Sequence, residues 1–264
     1  MRALLDIADL DVRYGDQVAL TDVSLTVQPG QTVGLVGESG SGKTTLGKAV
    51  LGLVPVSGGT IRLDGREITD LRPKERRALS GRLQVVFQNP YLSFNPRRTI
   101  GQAVAETLPP GTGRDEARDR VGAMLDRVGV DRGAAGRYPG QFSGGQLQRI
   151  AIARALMPDP SLLICDEAVS ALDLSVQAHV LNLLADLRAE RGLSYLFITH
   201  DLAVVRHLAD RVVVLRRGRV VEAGRVDDVC ETPRHPYTRA LLAAAPVPDP
   251  SAQARRRAER RALA

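Results

Sequence analysis

Residues Gly37–Thr44 read GESGSGKT, a match to G-x-x-x-x-G-K-[ST] set between two strongly patterned segments. Upstream, ALTDVSLTVQPGQTVGLVG (19–37) alternates apolar and polar residues. It then turns at Pro29-Gly30 and runs apolar to Gly37, which predicts a half-buried strand followed by a buried one. Downstream, residues 43–53 have helical spacing. A strand, a glycine loop and a helix in that order is the setting a phosphate-binding loop requires. Glycines let successive backbone N–H groups turn inward around phosphate oxygens. The reading assigns Gly37, Glu38, Ser39, Gly40, Ser41, Gly42, Lys43, Thr44 and Thr45 to nucleotide binding. Lys43 neutralises the terminal phosphates, and the Thr44 hydroxyl is a ligand for Mg²⁺.

Outward from this loop, apolar runs alternate with helical patterns, so an α/β domain is expected. GGTIRLDG (58–65) reads as a strand between glycine turns, and LQVVFQ (83–88) as a strand ending at Gln88. Residues 89–102 look loop-like, residues 114–130 helical, and 89–158 as a whole like a helical insert. SLLICDE (161–167) is a buried strand ending in two carboxylates. SVQAHVLNLLADLRAER (175–191) is a helix, LSYLFITH (193–200) a buried strand, and RVVVLRRGRVVEAG (211–224) a hairpin turning at Arg217-Gly218. Beyond Thr232 a proline-marked segment adds one short helix.

Polar residues at the carboxyl ends of parallel strands face the ligand crevice of such folds. Asp166 is therefore placed to hold Mg²⁺ through water. Glu167, next along, is placed to orient a water or take its proton. Gln88 and His200 end two further strands and are assigned to the ion and attacking water and to the γ-phosphate, respectively. A second anion site is written in QFSGGQLQRIAIARAL (141–156). A serine and two glycines open this amphipathic helix, and a helix N-terminus favours an anion.

Composition narrows the classes. The chain has 264 residues, 44% of them hydrophobic, enough for one sizeable core. No apolar run approaches the ~18–20 residues of a membrane span, and Asp6, Asp9 and Asp11 break the pattern of a signal peptide. A chain that stays soluble inside the cell is expected. Of the net charge of +6, the tail SAQARRRAERRALA (251–264) carries +4, from five arginines and one glutamate. That tail reads as a solvated end, and with 3% aromatics there is little to stack on bases; no nucleic-acid partner is expected. Cys165 and Cys230 offer no zinc or disulfide framework.

The order GESGSGKT, Gln88, FSGGQ, LLICDE, SALD (170–173) and His200 resembles that of the ATP-binding-cassette (ABC) ATPases. The resemblance runs from Tyr14 past His200. It implies a P-loop NTPase core sheet with an N-terminal antiparallel β subdomain and a helical signature-motif subdomain. It further implies that Tyr14 stacks on adenine, and that Ser143, Gly144, Gly145 and Gln146 cap the γ-phosphate of ATP bound to another subunit. Asp173 would report across that head-to-tail interface. Phe142 stands where leucine is commoner in the family and Ala168 where proline is; both changes are apolar and spare the catalytic side chains.

HPYTRALLAAAPVPDP (235–250) and FQNPYLSFNPRRTIGQ (87–102) are similar to the oligopeptide, dipeptide and nickel importer subgroup, and the PVPDP ending to its second, F-type ATPase. The implied organisation is one ABC ATPase domain over 1–245, an extension over 232–250 and a basic tail over 251–264. The implied partners are a second ATPase subunit, two membrane-spanning permease subunits and, indirectly, an extracytoplasmic substrate-binding protein. The place of work is the cytoplasmic face of the membrane, and the cofactors are ATP and Mg²⁺. Some subgroup members carry an iron–sulfur cluster, but Cys230 stands alone and none is expected here. The competing reading is a soluble, non-transport ABC ATPase acting on ribosomes, DNA or iron–sulfur assembly.

Overall fold

A computed structural model describes residues 2–109, 111–170 and 172–244. The PVPDP ending, the arginine-rich tail and Ala171 of the SALD stretch lie outside the described residues. In chain order the elements are β1 (Leu5–Tyr14), β2 (Gln17–Val27), β3 (Thr32–Val36), α1 (Lys43–Leu51), β4 (Gly58–Leu63), β5 (Arg66–Glu67), α2 (Pro73–Ala78) and β6 (Leu83–Val86). They continue with α3 (Ile100–Ala105), α4 (Arg114–Arg127), α5 (Gly144–Leu156), β7 (Leu162–Asp166), α6 (Leu174–Arg191) and β8 (Ser194–Thr199). The last are α7 (Leu202–Leu208), β9 (Arg211–Arg216), β10 (Arg219–Arg225), α8 (Val226–Glu231) and α9 (Pro236–Ala244). The chain divides into two units, one of residues up to Leu71 together with those from Leu196 on, the other Arg72–Tyr195.

The first unit holds an antiparallel sheet in the order β2-β1-β4-β5 and a run of strands β10-β9-β3-β8. β1 and β2 alternate buried and more exposed positions along much of their length, with Leu5 opposite Val27 and Ile7 opposite Leu25, as one-sided burial demands. β3 is buried at all five positions and pairs in parallel with β9, Val33 against Arg211 through Val36 against Val214. Its register is pinned where the strands begin. Thr32 N–H donates to Asp210 Oδ2 (2.8 Å), and Asp210 N–H returns a bond to the Thr32 carbonyl (2.9 Å). Gly34 then lets α7 close on the strand, since a β-carbon there would lie 2.6 Å from Val205 Cγ1.

In the second unit β6 and β7 pair in parallel, Leu83 with Leu162 through Val86 with Cys165. α5 buries Leu147, Gln148, Ile150, Ala151, Ile152, Ala153, Ala155 and Leu156. α6 is capped by the Asp173 side chain, which accepts from Val176 N–H, and ends at Gly192 in the left-handed region. Tyr195 closes α6 onto the start of β8 by donating its buried hydroxyl to the Leu184 carbonyl (2.9 Å).

Two local readings need correction, and one helix carried no signal to read. β6 ends at Val86, so Gln88 is an exposed residue two positions beyond the strand. The loop-like stretch 89–102 contains a 3₁₀ turn at Pro90–Ser93 and the start of α3. There, Thr99 and Gln102 form a reciprocal capping box that an apolar-periodicity reading passes over. α2 has no buried residue and hence no periodic signal; Glu75 reaching back to the Arg72 N–H starts it (3.1 Å).

The Asp210 clamp fixes the strand that delivers the glycine loop. Asp210→Ala is expected to lower unfolding free energy by about 1.5–3 kcal/mol, the range for a hydrogen bond to a charged group. Urea melts of the two chains would measure it, and a loss below about 0.5 kcal/mol would remove the clamp from the account.

Candidate functional site

β3 runs straight into the glycine loop, and the loop closes because two of its residues lack a β-carbon. At Gly37 (φ 157°) a β-carbon would fall 2.2 Å from the Leu215 carbonyl oxygen. At Gly42 (φ 108°) it would fall 2.6 Å from Leu20 Cδ2. Neither backbone atoms nor the packed β2 residue can give way, so both positions require glycine. The loop is tied to the β9–β10 turn as well, since Gly218 N–H donates to the Ser41 carbonyl (2.9 Å) and Thr21 N–H to the Gly218 carbonyl (2.8 Å).

Inside the loop Lys43 is 6% exposed. Its ammonium donates to the Gly37 carbonyl (2.8 Å) and the Glu38 carbonyl (2.9 Å). Ser41 is also buried, and its hydroxyl makes no hydrogen bond among the described residues. A buried hydroxyl without a partner is costly. Together with a held ammonium and glycines that leave a cradle, it fits a phosphate group. Glu38, Ser39 and Gly40 are exposed at the loop's crown, and Thr44 and Thr45 follow Lys43 in the first turn of α1. The Thr44 hydroxyl and the Asp166 carboxylate are hard oxygen donors of the type Mg²⁺ takes. Among the described residues no group of three His, Cys, Asp or Glu gathers to hold an ion.

The first unit carries Tyr14, the glycine loop and His200; the second carries Gln88, Ser143–Gln146, Asp166, Glu167 and Asp173. Tyr14 closes β1 and is 44% exposed. His200 is exposed just past β8, between Thr199 and the α7 cap Asp201.

In the second unit, Asp166 is buried at the end of β7. Glu167 follows in the left-handed region (φ 52°), where non-glycine residues are uncommon. The Ser170 hydroxyl holds its carbonyl (2.9 Å), so the chain turns sharply at the residue expected to face water. Burial, reinforced by the Asp166 charge, pushes the neighbouring Cys165 thiol well up; it is a packing residue and not a nucleophile.

Ser143 caps α5 in a reciprocal box with Gln146. Gln146 N–H donates to Ser143 Oγ (3.3 Å), and Ser143 N–H donates to Gln146 Oε1 (3.0 Å). The serine thus has a structural use. The two glycines behind it do not: a β-carbon at Gly144 would meet nothing within 4 Å, and one at Gly145 only Val176 and Leu172 at ordinary contact distance, 3.5 and 3.6 Å. Asp173 caps α6, and the Val176 amide, then the Ser175 hydroxyl, hold its carboxylate below the usual range.

One residue escapes the sequence reading. Gln148, 2% exposed on α5, donates its side-chain amide to the Phe87 carbonyl (3.2 Å) and the Ala168 carbonyl (2.7 Å). It joins the helix opened by Ser143 to the residue before Gln88 and the residue after Glu167. The available signal was a glutamine on the buried face of an amphipathic helix.

Residues 20–170 match the ABC transporter family, and residues 221–263 match the C-terminal region of oligopeptide/dipeptide transporters. The oligopeptide transport ATP-binding protein OppF of Escherichia coli is 49% identical over 265 residues, covering 94% of this chain and 79% of that protein. The glutathione import ATP-binding protein GsiA of Escherichia coli is 50% identical over 240 residues, 89% of this chain but 38% of that longer protein. The ATP-binding cassette MJ0796, solved as a dimer in a post-hydrolysis state bound to ADP and Pi, superposes with a TM-score of 0.78 at 28% identity, covering 84% of this chain and 98% of that one. Among the described residues no helix is long and apolar enough to cross a membrane. With a phosphate loop built on two obligatory glycines and a capped serine–glycine helix in one α/β chain, this protein belongs to the ABC transporter family, as an ATP-binding subunit with the C-terminal region of the oligopeptide/dipeptide transporters.

Proposed function

We propose that the chain binds and hydrolyses ATP to drive import of peptides or a related small solute. It would act as one of two ATPase subunits arranged head to tail on the cytoplasmic face of the membrane. Two permease subunits would supply the membrane-spanning path, and an extracytoplasmic binding protein would deliver the solute. The observation that carries this reading is the pair Gly144 and Gly145. Glycine at the start of a helix loses more backbone entropy on folding than alanine does, yet nothing packed against these positions in this chain excludes a side chain. Their use is close approach of an anion from outside the chain, the γ-phosphate of ATP on the partner's loop. The soluble, non-transport alternative is disfavoured by the transporter-type C-terminal region over 221–263 and by the transport and import subunits the chain matches.

In this reading the Gly37–Thr45 loop holds the phosphates, Lys43 neutralises them and Tyr14 stacks on adenine. Thr44, Gln88 and, through water, Asp166 would hold Mg²⁺, which when bound neutralises phosphate charge. Glu167 orients the attacking water and accepts its proton, and His200 contacts the γ-phosphate. Catalysis rests on positioning and charge complementarity more than on covalent chemistry.

Glu167→Gln should retain ATP binding and lose turnover by ~10²–10⁴, the weight of a general base. Purified from its own cells with ATP in mild detergent, this variant should bring down two multi-span membrane proteins, identified by mass spectrometry. Recovery of ribosomes or soluble proteins alone would overturn the transport assignment.

Gly145→Ala separates folding from chemistry. The chain should melt at the wild-type temperature or slightly above, consistent with alanine's advantage of up to about 1 kcal/mol in a helix, while the assembled transporter loses ATPase activity. A fully active transporter carrying this change on every signature helix would remove the role in trans.

A further inference from the structure

The C-terminal segment does more than pack. Glu222 on β10 accepts from Arg234 N–H (2.7 Å) and His235 N–H (3.1 Å), and His235 Nδ1 accepts from Tyr237 N–H (3.1 Å). These bonds fix the first turn of α9 and aim Tyr237 inward. The ring is 6% exposed among Val36, Val205, Val214 and Val226, with the Arg216 guanidinium 4.8 Å above its centroid. A phenylalanine would satisfy that packing. The hydroxyl has a separate partner: it accepts from the backbone N–H of Glu38 at 2.9 Å.

That N–H belongs to the Gly37–Glu38 peptide group, whose carbonyl, on Gly37, takes the Lys43 ammonium at 2.8 Å. One peptide plane is therefore gripped at its N–H by the C-terminal helix and at its C=O by the phosphate-binding lysine. The plane follows a glycine with φ 157°, where the backbone has the least steric resistance to rotating. We propose that Tyr237 is a positioning residue for ATP binding: its hydroxyl sets the orientation of the Gly37–Glu38 peptide and so the place of the Lys43 ammonium. This gives the extension of the oligopeptide/dipeptide type a part in the nucleotide site, although no residue of α9 need touch the nucleotide. The inference rests on reading Gly37–Thr44 as the ATP loop.

The test is Tyr237→Phe in the full chain, which keeps the ring and its stacking on Arg216 and removes one acceptor. ATP affinity is measured by equilibrium titration, and thermal melting is followed without nucleotide. Leu241→Ala, which removes a side chain packed against the same apolar cluster and leaves the Tyr237 hydroxyl in place, is the control for destabilisation alone. Loss of one hydrogen bond should weaken ATP binding about three- to tenfold. Leu241→Ala should lower the melting temperature at least as much and leave ATP affinity unchanged. Binding by Tyr237→Phe at wild-type affinity would overturn the proposal, as would equal weakening by Leu241→Ala. A wild-type chain that bound no ATP would sink the loop assignment itself, a failure distinct from either.

Discussion

The ammonium of a lysine only 6% exposed persists only if oxygens face it, and the first unit supplies them to Lys43. Two successive carbonyls, of Gly37 and Glu38, do so. They are available because the chain leaves β3 in a tight curl that only glycine can begin. The curl sits where it does because Asp210 holds the register of β3 against β9 and because Gly218 reaches the Ser41 carbonyl from the hairpin turn. The buried valines beneath set the height of the loop, and the polar ties set its direction.

The second unit solves a different problem, holding the residues proposed for the site at the ends of its elements. Gln88 lies beyond its strand, Glu167 sits in an uncommon backbone conformation, and Ser143 opens a helix. The polar bonds that hold them run to backbone atoms: Ser170 to the Glu167 carbonyl, and Gln148 to its two carbonyls. Backbone anchors of this kind fix where the chain places these residues.

Much of this was legible in the sequence because the signals were strong in their own terms. GESGSGKT between an apolar run and a helical run fixes strand, loop and helix together. The apolar runs 162–165 and 193–198 are long enough to be buried strands and too short to be helices. The hairpin at Arg217-Gly218 is marked by its turn, and both residues take positive φ. What escaped had no such signature. α2 buries nothing, α3 is announced by a capping box and not by periodicity, and β6 stops short because Phe87 and Gln88 leave the ladder. Gln148 and Tyr237 escaped for a deeper reason. Each acts through backbone atoms 61 and 199 residues away in sequence, and a contact of that range leaves no local trace in composition or spacing.

The Gln148 bridge also sets a chemical-ageing constraint on the molecule. A primary amide gives one hydrogen to each of two carbonyls, whereas a carboxylate of the same size gives none. Deamidation there would change neither volume nor shape, yet it would turn a double donor into a negative charge facing two carbonyl oxygens. Burial on a helix shields the amide from hydrolysis for as long as α5 stays formed. Exposure of that amide therefore follows how rarely the helix opens, a kinetic property separate from how well the site binds.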